Sequence, residues 1–243
     1  MTLHIGIVGC SSEGAALCYR TICLEAEGTM GEHAHPEVSM HTHSLGEYVR
    51  LLRRDEWDGV ASLMLSSAEK LVRGGADFLI CPDNTIHQAL SKIRAWSPKP
   101  WLHIAEVVAE EAAPRRYTKL GVLGTRFLME GPVYRATLDA YGIESCTPPE
   151  EARIRLDAHI FQELVKGRFS TDTRAEFVRA IDALAKRGCD AVVLGCTEIP
   201  LLISPSDSPL PTLDSTRLLA RAALRKAIGE RRAQDAPAIA PRA

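Results

Sequence analysis

Short apolar runs closed by glycine or a turn residue alternate along this chain with longer amphipathic stretches, the pattern of strands and helices in a mostly parallel α/β protein. Residues 4–9 (HIGIVG) predict a first strand that runs through Cys10-Ser11-Ser12-Glu13-Gly14 into a helix over about 14–26. Residues 37–40 (EVSM) predict a second strand, and 45–54 and 59–73 predict helices, the latter closed by Gly74-Gly75. The run 76–81 (ADFLIC) is apolar at almost every position, as in a strand buried on both faces, and stops at Pro82-Asp83-Asn84-Thr85.

A second series follows the same order. Leu120 to Gly124 reads as a strand, Thr125-Arg126 as its turn, and the next stretch as a helix to about residue 140. Residues 143–146 predict a strand, 151–166 and 172–187 predict helices, and 190–195 (DAVVLG) predicts a buried strand stopping at Cys196-Thr197-Glu198. Gly9 and Gly124 are 115 residues apart and Asp83 and Cys196 are 113 apart, the near-constant offset of a duplicated unit. The expected fold is therefore α/β, with two similar lobes, each a mostly parallel sheet flanked by helices. The lobes are expected over 1–113 and 114–211, with the chain returning to the first at about 212–228 and a disordered tail over 229–243. Ligands of parallel sheets bind beyond the carboxyl ends of the strands. Two facing lobes would thus set Asp83 and Cys196 on opposite walls of one cleft.

Composition narrows the partners. The 29 Lys and Arg against 31 Asp and Glu give a formal charge of −2, leaving no basic field to capture nucleic acid. No uncharged apolar run approaches the ~18 residues of a membrane span, and the opening residues carry no basic and apolar leader, so a cytoplasmic protein is expected. The seven cysteines form no CxxC and no disulfide framework, which points to reduced thiols. Gly6-x-x-Gly9 lacks the third glycine and the Lys-Ser/Thr of phosphate loops, so neither a nucleotide nor pyridoxal phosphate is expected as cofactor. His33, His35, His41 and His43 fall within 11 residues, and each HxH pair would share one strand face able to ligate zinc. No cysteine or carboxylate nearby completes a known spacing, and no metal is expected.

The strand ends carry the candidate chemistry. Cys196 sits at a turn after a buried strand, where the following N–H groups stabilise a thiolate, so a depressed pKa is expected. Asn84, Thr85 and Thr197 offer amide and hydroxyl groups at the same sheet edges, and Ser11 and Thr125 offer hydroxyls after the first strand of each lobe. Together they suit a small-molecule carboxylate. Glu198 would hold a carboxylate beside the thiol, or simply favour the start of the next segment. Cys81 lies two residues before Asp83, so alternation would aim both side chains the same way.

Several stretches resemble the aspartate/glutamate racemase family, the cofactor-independent racemases built of two α/β lobes. They include Gly9-Cys-Ser-Ser-Glu13, His41-Thr42, Gly75-Ala76-Asp77, Asn84-Thr85-Ile86-His87, Leu102-His103-Ile104-Ala105, Leu123-Gly124-Thr125-Arg126, Leu194-Gly195-Cys196-Thr197-Glu198 and Leu213-Asp214-Ser215-Thr216. The resemblance spans roughly residues 4–225. It implies two acid/base groups flanking an α-carbon, classically both cysteines, a homodimer, and no cofactor. Cys196 matches the second cysteine, with Glu198 close by, and His87 matches a position near the first, as a tuning group or a helix-cap histidine. The first cysteine's own position is Asp83, a departure.

Each base of a two-base racemase must also serve as acid, so the pair needs comparable basicity. An ordinary Asp is weaker than an ordinary Cys by four to five pH units, about 6 kcal/mol. Burial would raise Asp83; alternatively Asp83 polarises water or orients an ammonium, leaving Cys196 alone, or Cys81 is the partner. The expected activity is proton removal and return on a small amino acid, an acidic one by resemblance. The alternatives are a single-cysteine decarboxylase or cis-trans isomerase of a small dicarboxylic acid, and a non-catalytic amino-acid-binding protein.

Overall fold

The computed structural model describes residues 2–229. The expected tail lies outside the described residues, apart from Gly229. Strands β1 (Ile5–Gly9), β2 (Val38–Thr42), β3 (Phe78–Ile80) and β4 (Trp101–Leu102) form one sheet in the order β2-β1-β3-β4. Strands β5 (Lys119–Leu123), β6 (Glu144–Cys146), β7 (Ala191–Leu194) and β8 (Thr212–Asp214) form a second in the order β6-β5-β7-β8. Every pairing is parallel, and the two inner strands of each sheet are almost wholly buried, which is why they read as apolar runs.

Helices α1 (Ser12–Met30), α2 (Leu45–Leu52), α3 (Trp57–Arg73), α4 (Leu90–Ile93) and α5 (Ile104–Ala112) accompany the first sheet. Helices α6 (Arg126–Glu130), α7 (Val133–Ala140), α8 (Glu150–Gln162), α9 (Thr171–Lys186) and α10 (Ile199–Leu202) accompany the second, and α11 (Ser215–Ile228) follows. The single helix expected from Arg126 to about 140 is two, because Pro132 offers no N–H and disfavours helical geometry at Gly131, which is extended. The helix expected over 151–166 stops at Gln162 and passes through a short 3-10 turn to Gly167, whose φ of +68° is left-handed. The segment 212–228 is divided: β8 extends the second sheet, and α11 packs against α1 and α5 of the first lobe. No helix among the described residues is long and apolar enough to cross a membrane.

The lobes share one core. A single apolar cluster runs from Ile5, Ile22, Ile104 and Val108 to Leu120, Leu138, Val193 and Leu219, so separating the lobes would expose it. Buried polar bonds then fix the register between them. Tyr134 Oη donates to Asn84 Oδ1 at 2.7 Å, Asn84 Nδ2 donates to Ser215 Oγ at 3.0 Å, and Ser215 Oγ donates to the Leu194 carbonyl at 2.9 Å. This chain runs from the residue after Asp83 to the end of the strand that carries Cys196. Nearby, α1 begins against the second lobe so closely that a Cβ on Gly14 would lie 2.5 Å from Thr197 Cβ.

Tyr134→Phe leaves Asn84 Oδ1 buried without its donor. The expected result is a loss of about 1–3 kcal/mol in urea unfolding with an unchanged far-ultraviolet dichroism spectrum.

Candidate active site

The two strand ends nearest each other come from equivalent places in the two sheets. Ile7 pairs with Ile80 in the β1–β3 register, which, carried three residues on, sets Cys10 beside Asp83. Leu123 pairs with Leu194 in the β5–β7 register, which, carried two residues on, sets Thr125 beside Cys196. Ser11 caps α1, its Oγ accepting from Gly14 N at 3.2 Å, and Thr125 caps α6, its Oγ1 accepting from Leu128 N at 3.2 Å. Each cap also reaches across: Ser11 Oγ lies 3.0 Å from Thr197 Oγ1, and Thr125 Oγ1 lies 2.8 Å from Thr85 Oγ1.

Between these ends lies a cavity walled by Cys10, Ser11, Asp83 and Thr85 from one lobe and Thr125, Cys196 and Glu198 from the other. Leu45, Val49 and Leu52 of α2, Phe127 of α6, Ile160 and Phe161 of α8, and Val165 supply the rest of its surface, which is apolar. No Lys or Arg lines it among the described residues.

Asp83 Oδ1 accepts from Thr85 N at 3.1 Å and Ile86 N at 3.4 Å. Burial and the neighbouring Glu198 carboxylate push its pKa up to about 6, against the opposing pull of those bonds and of the Cys10 thiol. Cys196 Sγ donates to Glu198 Oε2 at 3.0 Å, and Thr197 Oγ1 donates to the same oxygen at 2.8 Å. Glu198 is 1% exposed, and its other oxygen, Oε1, is buried with no partner. The expected depressed pKa of Cys196 is overturned: burial first, then Glu198, push the thiol well above its ordinary value. The turn does expose N–H groups, but a buried carboxylate two residues on outweighs them.

Six of the nine expected site residues meet at the cavity: Ser11, Asp83, Thr85, Thr125, Cys196 and Glu198. Three stand off its wall. Asn84 belongs to the cross-lobe chain of bonds, and the Thr197 hydroxyl is held by Ser11 and Glu198. His87 sits behind Asp83, its Nε2 2.9 Å from the Cys81 carbonyl and its ring edge-on to His103 at 4.6 Å. A carbonyl only accepts, so the proton is assigned to Nε2, and burial followed by His103 keeps the ring neutral, well below its ordinary pKa. Cys81 is fully buried in the core around Tyr48, its Sγ 3.7 Å from the Asp83 carbonyl, and is not on the wall. Three of the four clustered histidines have partners other than a metal: His41 Nδ1 meets Ser67 Oγ at 3.0 Å, His43 Nε2 meets Ser66 Oγ at 3.2 Å with its ring edge-on to His41 at 4.9 Å, and His35 Nδ1 meets the Pro36 carbonyl at 2.8 Å.

Two sheets ending on one cavity, with a thiol and carboxylates at the strand ends, match a known family. The family model described as Asp/Glu/Hydantoin racemase covers residues 7–223. The chain belongs to this family. As a member of the Asp/Glu/hydantoin racemase family it is an isomerase, and it has the two-lobed fold of the Asp/Glu racemases. It is 24% identical over 201 residues to the broad specificity amino-acid racemase RacX of Bacillus subtilis, covering 82% of this chain and 85% of that one. A solved candidate Asp/Glu racemase from Yersinia pestis is 31% identical with a TM-score of 0.84, covering 93% of this chain and 99% of its own. A solved aspartate racemase homologue from Pyrococcus horikoshii is 27% identical with a TM-score of 0.80, covering 94% and 100%.

The raised pKa of Asp83 is also a statement about stability. Its folded value, about 6, exceeds its ordinary 3.8, so the group favours folding most at low pH and that contribution is lost as pH rises through about 6. By pH ~7.5 the loss amounts to about 3 kcal/mol. Asp83→Asn is neutral throughout. It is expected to match the parent near pH ~4 and to exceed it by up to that amount at pH ~7.5, as measured by urea unfolding at both.

Proposed function

We propose that the protein is a cofactor-independent racemase or epimerase of a small amino acid, acting by removal of the α-proton on one face and return of a proton on the other. One observation carries this: Asp83 of the first lobe and Cys196 of the second, the two positions that match the family's acid/base pair, line a single buried cavity. The bond between Thr85 and Thr125 leaves one of their two O–H groups free, and it is the proposed donor to the α-carboxylate; the Ser11 proton goes to Thr197, whose own goes to Glu198. The unpartnered Glu198 Oε1 is an acceptor for the ammonium. A homodimer, as the resemblance implies, and a cytoplasmic location, as expected from the apolar runs and the opening residues of the sequence, complete the proposal.

The wall changes the expected side chain. A second carboxylate would meet no cation there, and at ~6 Å from Asp83 or Glu198 it would be repelled by about 3 kcal/mol by each at an effective dielectric of 20. Leu45, Val49, Phe127 and Phe161 instead offer apolar contact. The proposed substrate therefore has a neutral side chain, in place of the acidic one expected from sequence.

The test is loss of the α-proton NMR signal in D₂O for L- and D-amino acids, with alanine, leucine, methionine and phenylalanine beside aspartate and glutamate. Exchange with inversion of the neutral members is expected, and its loss in both Asp83→Asn and Cys196→Ala. Exchange confined to aspartate and glutamate overturns the neutral side chain. Exchange of nothing overturns racemisation and moves the weight to dicarboxylic-acid chemistry or binding alone.

A further inference from the structure

The proposed pair leaves a mismatch, since a carboxyl at about 6 faces a thiol raised above its ordinary value. A group that the sequence patterns did not single out removes it. We propose that Cys10 is the first-lobe acid/base group facing the α-carbon, and that Asp83 is the carboxylate that takes and returns the Cys10 proton. This rests on the racemase proposal above.

The geometry is that of two matched thiol and carboxylate pairs on opposite walls. Cys10 directly follows β1, and Asp83 follows the neighbouring strand β3 by three residues. Both line the cavity from the first lobe, as Cys196 and Glu198 line it from the second. Cys10 and the Asp83 carboxylate are close enough to act on each other electrostatically, and Cys196 Sγ donates to Glu198 Oε2. Cys10 is 5% exposed and Cys196 8%, so the thiols share one degree of burial. Burial, then the adjacent carboxylate, push each up from its ordinary value, in the same direction and for the same reasons. Cys81, the other thiol near Asp83, touches only its backbone carbonyl.

The protons balance. In one direction the Cys10 S–H bond breaks and its proton passes to the Asp83 carboxylate. The Cα–H bond then breaks and a new S–H bond forms at Cys10. The Cys196 S–H proton forms the new C–H bond on the opposite face. The enzyme is left with protonated Asp83 and a Cys196 thiolate, and transfer of that proton through solvent after product leaves restores the start. The reverse direction uses the same steps backwards.

Cys10→Ser and Cys10→Ala test this in the same D₂O exchange assay, beside Asp83→Asn, with dichroism as the check on folding. The expected result is a fall of about 100-fold or more for both Cys10 variants in both directions, the size of one acid/base group. Exchange in Cys10→Ser within about threefold of the parent, with Asp83→Asn inactive, overturns the inference and leaves the racemase proposal standing with Asp83 acting directly. A parent protein that exchanges no amino acid overturns the racemase proposal and this inference with it. Should those variants fail to fold, Cys10→Thr, whose side chain has about the volume of the original, decides in the same assay: a fall of about 100-fold is expected, and exchange within about threefold of the parent overturns the inference.

Discussion

Asn84 holds the two lobes in the one relation that gives the cavity its shape. Its amide donates to Ser215 and accepts from Tyr134, and Ser215 passes the connection to the carbonyl of Leu194, two residues before Cys196. A hydrogen bond in a buried site is strengthened by its low dielectric, and an unmade one there is costly, so the polar chain selects one register for the apolar surfaces around it. Hydrophobic burial across the shared core supplies the adhesion, but apolar contact alone is non-directional. The directional part comes from a few polar groups at the strand ends.

That placement has an electrostatic cost, and the cost is tied to the chemistry. Asp83 and Glu198 sit in one desolvated cavity with no cation on the described wall, and both thiols beside them are pushed toward their protonated forms. A site of this kind disfavours additional negative charge and retains protons at ordinary pH. It suits a reaction in which protons move between a carbon and side chains, and it suits a substrate that brings its own positive charge as an ammonium. The apolar wall of α2, α6 and α8 serves both ends, by keeping the dielectric low and by receiving an uncharged side chain. The raised thiols also separate this arrangement from a nucleophilic cysteine, whose thiolate is ordinarily stabilised in an electropositive setting.

The short elements mark where a one-dimensional pattern loses its force. Strand β4 has two residues and β8 three, too few to show a period, and each forms only because a neighbouring strand offers its free edge. The sequence reads as one helix through Gly131-Pro132, because the amphipathic pattern continues on both sides of it. Only the packed chain shows that the second half, α7, turns to bring Tyr134 onto Asn84.

By itself the sequence determined the two-lobed parallel α/β fold, because buried strands and amphipathic helices leave periodic signals that need no partner to be read. It also determined the strand-end positions of Asp83 and Cys196, since apolar runs stop where they stop, and the Gly-Cys-Thr-Glu and Asn-Thr-x-His segments carried the family. Tertiary structure alone decided which polar groups face the cavity. Nothing in the spacing separates Asn84, Thr197 and His87, which stand off the wall, from Thr85 and Glu198, which line it. Tertiary structure also decided the sign of the shift at Cys196, where a local turn argues one way and desolvation beside Glu198 argues the other. Cys10 was likewise hidden: 73 residues separate it from Asp83, and only the parallel register of β1 with β3 makes them neighbours.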